Sequence, residues 1–210
     1  MKTIGYFIKQ SVVPFVYLGM LGLIDFAILC IKDSNGLIAL KVVLCAVVLG
    51  FFITLLAILS FRDGQTAYKT LLANDVSRRL IVETGREYPL KEAEEYKPYK
   101  GFVSGLVVCI PLIICTIIHF INNGFSNLST ESSSTNWAGV IMSFIYIVVF
   151  AFARVRYSSA VTPNQFYVCS IALPIIVLTI GIFYMLGAKK IRHQQEMIKE
   201  KHNFLHGGTK

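Results

Sequence analysis

The sequence predicts an all-α integral membrane protein: a bundle of four to five transmembrane helices with a cytoplasmic amphipathic helical insert and a basic helical C-terminal tail. Of the 210 residues, 55% are hydrophobic and only 15% are charged, whereas a soluble domain carries about 25% charged residues. The apolar residues form five blocks. A segment of mixed charge lies between the second and third blocks, and a basic segment follows the last one. These observations exclude a soluble enzyme, a disordered chain and a secreted disulfide scaffold.

The five apolar blocks are the candidate spans, because about 20 helical residues cross a hydrocarbon core of about 30 Å. Four of the five blocks have that length, and block 137–153 is shorter. The blocks cover residues 11–31, 42–61, 101–121, 137–153 and 166–188. They divide the chain into an N-terminal transmembrane helix pair (1–61), a polar insert (62–100), C-terminal transmembrane helices (101–188) and a basic tail (189–210).

The polar insert is predicted to contain an amphipathic helix that lies on the bilayer or docks on a partner. Its apolar residues recur at helical spacing between Tyr68 and Ile81, and charged residues occupy the rest of the helical wheel. Asp63 is placed to cap the start of this helix and Gly85 to end it. A short acidic turn of helix is expected within residues 90–96, before Pro98.

The distribution of positive charge places the insert in the cytoplasm but leaves the number of crossings open. With five crossings, twelve lysines and arginines lie inside and eight outside, and the basic tail falls outside. If block 137–153 does not cross, sixteen lie inside and four outside, which the positive-inside rule prefers. An uncharged block that does not span must still satisfy its backbone hydrogen bonds, so both topologies remain.

Asp25 is the strongest candidate for chemistry inside the lipid phase, because it interrupts the first apolar block. A carboxylate at such a depth costs about 2.5–3.5 kcal/mol to insert, so it needs a polar partner or water. One interpretation is a proton or cation site. The other is an ion pair with a basic residue near the outer boundary, such as Lys32 or Lys41.

The third and fifth blocks share a weak likeness, in which a proline precedes a threonine by five residues. The pairs are Pro111 with Thr116 and Pro174 with Thr179. Proline frees a helix carbonyl, and paired interrupted segments are typical of midplane sites in transporters built from repeats. A same-sense repeat requires the two helices to run parallel. A stable kink that binds nothing is the alternative.

Two further patterns have both a functional and a structural interpretation. Arg154 and Arg156 follow the fourth block and are predicted to bind a lipid headgroup phosphate or to snorkel at the boundary. Gly101 and Gly105 match a helix-packing motif, although their position at a helix end favours loop flexibility.

The predicted function is that of a non-catalytic subunit or scaffold of a membrane complex in the cell membrane. Its partners are the bilayer and other subunits or a second copy, with Tyr68, Leu72, Arg78 and Arg79 as the partner-binding surface. The alternative is a small transporter or channel with its site around Asp25 and the proline-kinked helices. No nucleotide-binding, hydrolase or zinc motif occurs in the sequence, so no cofactor or metal is expected. No nucleic-acid partner is expected either, because the basic residues are scattered over loops and tails, as the positive-inside rule explains.

Overall fold

The computed structural model describes residues 2–29, 31, 37–123 and 172–206, and every regular element in those ranges is helical. These elements are α1 (Lys2–Leu29), α2 (Leu37–Thr84), a 3₁₀ turn (Glu92–Glu94), α3 (Lys100–Asn123) and α4 (Ala172–His206). The helices α1, α2 and α4 contain stretches that are long and apolar enough to cross a membrane. The predicted all-helical membrane class is therefore confirmed.

The helices form a bundle in which α1 and α4 each pack against both α2 and α3. Their buried apolar side chains meet in one cluster at the centre of the bundle. The cluster consists of Leu18, Leu21, Phe52, Leu56, Val108, Cys109, Ile176 and Ile180. Each of the four helices contributes two of these residues, so the cluster ties the described helices together through burial of apolar surface.

Contacts between α3 and α4 show that these two helices run antiparallel. Gly101 at the start of α3 faces Tyr184, whereas Cys109, two turns later, places its sulfur 3.9 Å from the carbonyl oxygen of Leu173. The antiparallel arrangement rules out a same-sense repeat of the third and fifth blocks, because such a repeat requires parallel helices. The fourth block, residues 137–153, lies outside the described residues.

Helices α2 and α4 run parallel, and both extend beyond the bundle at the same end. Gly64 of α2 faces Tyr184, and Tyr68, one turn later, lies beside Arg192. The polar insert and the C-terminal half of α4 therefore share one end of the molecule, which we call the insert end. The predicted helical tail is found as a direct continuation of α4.

The predicted amphipathic helix of the insert is not a separate element, and the expected cap at Asp63 is wrong. Helix α2 continues without a break from Leu37 to Thr84, a length of about 72 Å at 1.5 Å per residue. The Asp63 carboxylate accepts a hydrogen bond from Gln10 of α1 instead of capping a helix. The amphipathic part is therefore a direct continuation of the apolar helix.

The predicted end of this helix at Gly85 is confirmed. Gly85 has φ +66°, a left-handed conformation that glycine adopts without strain, and its N–H donates to the carbonyl of Ile81 at 2.9 Å. The chain then turns back along α2, and the N–H of Tyr96 donates to the carbonyl of Ala67 at 3.1 Å. The short acidic turn forms at Glu92–Glu94, within the predicted range.

Candidate functional site

A polar cleft lies at the insert end, between α1, α2 and the 3₁₀ turn. The Gln10 side-chain amide donates to an Asp63 carboxylate oxygen at 2.8 Å, joining residues 53 positions apart. The other polar atom of that amide, Oε1, is buried and has no hydrogen-bond partner among the described residues. The hydrogen bond to Asp63 therefore fixes the orientation of the Gln10 amide at the cleft.

The 3₁₀ turn, which carries the lining residue Glu94, is held in place by Lys100 at the start of α3. Its ammonium donates to the carbonyl oxygens of Ala93 at 2.8 Å and Glu95 at 2.6 Å, which anchors the 3₁₀ turn. The same ammonium lies 5.6 Å from the centre of the Tyr6 ring, a cation–π distance. Lys100 is buried, and these contacts satisfy its charge locally.

Among the residues that the structure describes, three charged side chains line the cleft: Lys9 on α1, Asp63 on α2 and Glu94 on the 3₁₀ turn. Both carboxylates act electrostatically on the Tyr6 phenol, so they approach the same point from two elements. The cavity volume is about 340 Å³, within the range of small-molecule sites. Two negative charges and one positive charge therefore surround a space large enough for a small ligand.

A second polar network fixes the returning segment of the insert to α2. The Arg78 guanidinium binds both carboxylate oxygens of Glu95, at 2.8 and 3.3 Å. The Asn74 side chain donates to Glu95 at 3.4 Å and accepts from the Lys91 N–H at 3.1 Å. Hydrogen bonding by Arg78 lowers the pKa of the Glu95 carboxyl below its ordinary value, against the opposing effect of burial. This network is structural, because its members satisfy one another.

An aromatic stack joins the insert to the bundle beside this network. The Tyr96 ring stacks on Tyr184 with centroids 5.4 Å apart, and Tyr68 meets Tyr96 edge-on at 5.7 Å. Tyr184 is buried, at 1% exposure. Of the predicted partner surface, Tyr68 and Arg78 are thus engaged within the chain, Leu72 is half-buried and Arg79 is exposed.

Asp25 lies at the opposite end of the bundle from the polar cleft and is completely buried, at 0% exposure. The Cys45 thiol of α2, also buried, faces its carboxyl group. Neither carboxylate oxygen accepts a conventional hydrogen bond from the residues that the structure describes. Lys41, one turn from Cys45, is buried and donates to the carbonyl of Ile31.

Three of the four residues in the proline–threonine pairs have described side chains: Pro111, Pro174 and Thr179. Pro111 packs beside Phe15 of α1, and ten residues separate Phe15 from Asp25, or roughly 15 Å along the helix axis. Pro174 is exposed, and the Thr179 hydroxyl donates to the Ile175 carbonyl of its own helix at 2.8 Å. Thr116 lies on α3 beyond Pro111. Arg154 and Arg156 lie outside the described residues.

The sequence analysis missed the polar cleft because its residues come from three separate segments. Lys9 and Gln10 precede the first apolar block, and Asp63 follows the second. Each of these residues lies at the boundary of an apolar block. That position predicts how deep the residue lies in the bilayer, but it does not predict which side chain of another helix it contacts. The pairing depends on the antiparallel packing of α1 and α2, which no local pattern encodes.

The chain was compared with protein-family models, curated proteins and solved structures. No protein-family model matches this chain, and no curated protein or solved structure matches it either. Within the described ranges, no group of three or more His, Cys, Asp or Glu residues is placed to hold a metal ion.

Proposed function

We propose that this chain is a non-catalytic subunit of a membrane complex, and that it binds a partner through the projections of α2 and α4 at the insert end. The observation that carries this proposal is the length of these two helices. Helix α2 continues past its apolar block for about 35 Å and α4 for about 27 Å, and they run in the same direction. A rigid paired projection of this kind is a surface for another chain.

The topology that fits this proposal has four crossings, with the insert and the tail both in the cytoplasm. Because α3 and α4 are antiparallel, the segment between them begins and ends on the same side of the membrane. Sixteen lysines and arginines then lie inside and four outside, in agreement with the positive-inside rule. The cell membrane is the proposed location.

The partner surface is an apolar stripe on the projection of α4. Ile191 is buried, and Ile198, seven residues later on nearly the same face, is 60% exposed. Met197 and Phe204, also seven residues apart, are exposed beside it. The apolar face of α4 is therefore buried in the bundle at Ile191 and exposed at Ile198, as expected where a further helix packs against it.

The charge of this projection supports a partner with acidic residues. Residues 189–206 contain five lysines and arginines against two glutamates. A cavity of about 370 Å³ opens between Tyr68 of α2 and Arg192 of α4, and it can receive a side chain. We therefore propose that the occupant is an amphipathic helix of another subunit, with an apolar stripe flanked by acidic residues.

The partner surface is tested by replacing Ile198 with aspartate and measuring the mass of the complex extracted in mild detergent. Asn203→Asp is the matched control, since it adds the same charge about 140° around the same helix. We expect Ile198→Asp to release the partner and Asn203→Asp to retain it. Retention by both variants contradicts the proposal. If Ile198→Asp releases a second copy of this chain, the surface is a homo-oligomer interface. If the variant leaves the mass unchanged but weakens binding to anionic vesicles, the surface binds lipid instead.

A small transporter or channel is the second candidate function, and the complete burial of Asp25 favours it. A buried carboxylate without a conventional donor is typical of proton and cation pathways. Replacement of Asp25 by asparagine keeps its shape and removes its charge. A carrier loses coupling or pH dependence of flux in liposomes, whereas a subunit retains the mass of its complex.

A further inference from the structure

The polar cleft at the insert end changes character with depth in the same way on two helices. Along α1 the lining residues change from Lys9 and Gln10 to the apolar Val13 and Pro14. Along α2 they change from Asp63 to Ser60 and Leu59, and Ile180 of α4 lies at the same end together with Ser104 of α3, so the charged groups are confined to the other end. The gradient follows the helix axes from the insert end into the apolar span, so the cleft matches a molecule with a charged head and an apolar tail.

The acceptors at the charged end match a primary ammonium group. An –NH₃⁺ group has three N–H donors and no acceptor. The cleft offers the carboxylates of Asp63 and Glu94, the first of which is held by the Gln10 amide. Gln10 and Asp63 are adjacent, because their side chains share a 2.8 Å hydrogen bond. A trimethylated ammonium has no N–H to donate and cannot satisfy these acceptors.

Lys9, the cation that lines the cleft among the described residues, is placed to bind the phosphate of such a molecule. Lys9 is exposed at the mouth of the cleft, and no ion pair joins it to Asp63 or Glu94 in the described part of the chain. Lysine binds phosphate oxygens as a point charge. An added carboxylate, as in a phosphoserine head, is disfavoured by the two acidic residues.

We propose that this cleft binds a phosphoethanolamine group, with the ammonium between Asp63 and Glu94, the phosphate at Lys9 and an acyl chain along Val13, Leu59 and Ile180. The same head chemistry occurs in an aminophospholipid and in free phosphoethanolamine. The apolar end of the cleft favours the lipid. This site is separate from the partner surface on the projection of α4, so either proposal can fail without the other.

The site is tested with the full chain, purified in a non-ionic detergent and depleted of lipid. Phosphatidylethanolamine, phosphatidylcholine and phosphatidylglycerol with the same acyl chains are added separately, and the bound fraction is measured by native mass spectrometry. We expect half-saturation with phosphatidylethanolamine at a concentration about tenfold lower than with the other two lipids, as one charge-assisted hydrogen-bonded site would give. Equal retention of the three lipids overturns the proposal.

The variant Asp63→Asn should weaken phosphatidylethanolamine binding about tenfold and leave the other two lipids unchanged. Asp75→Asn is the matched control, because Asp75 is an exposed carboxylate on the same helix and outside the cleft. If both variants behave alike, the cleft is not the site. Glu94→Gln, at an exposed position, gives an independent answer if Asp63→Asn fails to fold, and unchanged lipid preference in Glu94→Gln overturns the proposal.

Competition with free phosphoethanolamine separates the two sources of the head chemistry. Binding of the lipid without displacement by the soluble compound at equal concentration assigns the site to the lipid, as we expect. Displacement at equal concentration shows that the apolar end contributes nothing, and that result overturns the lipid assignment.

Discussion

The contact between α2 and α4 is so close at Gly64 that a single methyl group should separate the helices. A Cβ atom at this position would lie 1.9 Å from the carbonyl oxygen of Tyr184 and 2.8 Å from its carbonyl carbon. A carbon–oxygen contact needs about 3.3 Å, so Gly64→Ala must move the helices apart by about 1.4 Å. The obstructing atoms belong to backbone, and a change of side-chain rotamer cannot relieve the clash.

The cost of this displacement is expected to exceed the gain in helix propensity. Overpacking of a close interface costs about 1–3 kcal/mol, whereas alanine is better than glycine inside a helix by about 0.5–1 kcal/mol. We therefore expect Gly64→Ala to lose about 1–2 kcal/mol, which lowers the Tm by roughly 2–8 °C for a chain of this size. Thermal unfolding of the purified protein in detergent measures this change.

Gly50→Ala is the matched control, because it lies on the same helix and a Cβ there meets nothing within 4 Å. We expect its Tm to stay constant or rise, since only the propensity term remains. Gly187→Ala reports on the other side of the same crossing, where a Cβ would lie 2.0 Å from the Phe61 carbonyl oxygen. A Tm for Gly64→Ala equal to that of Gly50→Ala would refute the close crossing of α2 and α4.

Two further predictions concern the insert. The pKa of Glu95 is lowered in the folded protein. Its ion pair with Arg78 therefore stabilises the returning segment fully at a pH above the pKa of an unfolded glutamate, about 4.3. This stabilisation is lost as the pH falls through the lower pKa of the folded state. Hydrogen-exchange protection of the Tyr96 amide should therefore decrease in acid, and Glu95→Gln should remove that pH dependence; an identical acid profile in the variant contradicts it. Gly85→Ala should cost about 1–2 kcal/mol, since φ is +66° there, and should increase exchange in the last turn of α2; unchanged exchange would show that the turn does not depend on this glycine.

Features set by a few neighbouring residues were predictable from the sequence. The end of α2 at Gly85 follows from the left-handed conformation that glycine tolerates, and the helical tail follows from an uninterrupted run of helix-forming residues after the last block. The apolar blocks alone indicate the membrane class. Each of these depends on composition or on a pattern within a few turns of helix.

Features that depend on packing between distant segments were not predictable. Asp63 resembles a helix cap by residue type, but its partner is Gln10, on another helix. Gly101 and Gly105 were expected to give loop flexibility, yet they pack against Tyr184 and Val177 of α4. These small residues let the helices approach closely, and their role becomes visible only when the facing helix is known.

The central claim, that the chain is a subunit of a larger complex, is tested most directly by the mass and composition of the native particle. A C-terminal tag at native expression level, extraction in mild detergent and mass measurement of the purified particle suffice. The account predicts a particle that contains another protein in a fixed ratio to this chain. A particle that contains only this chain, whether one copy or several, would contradict it.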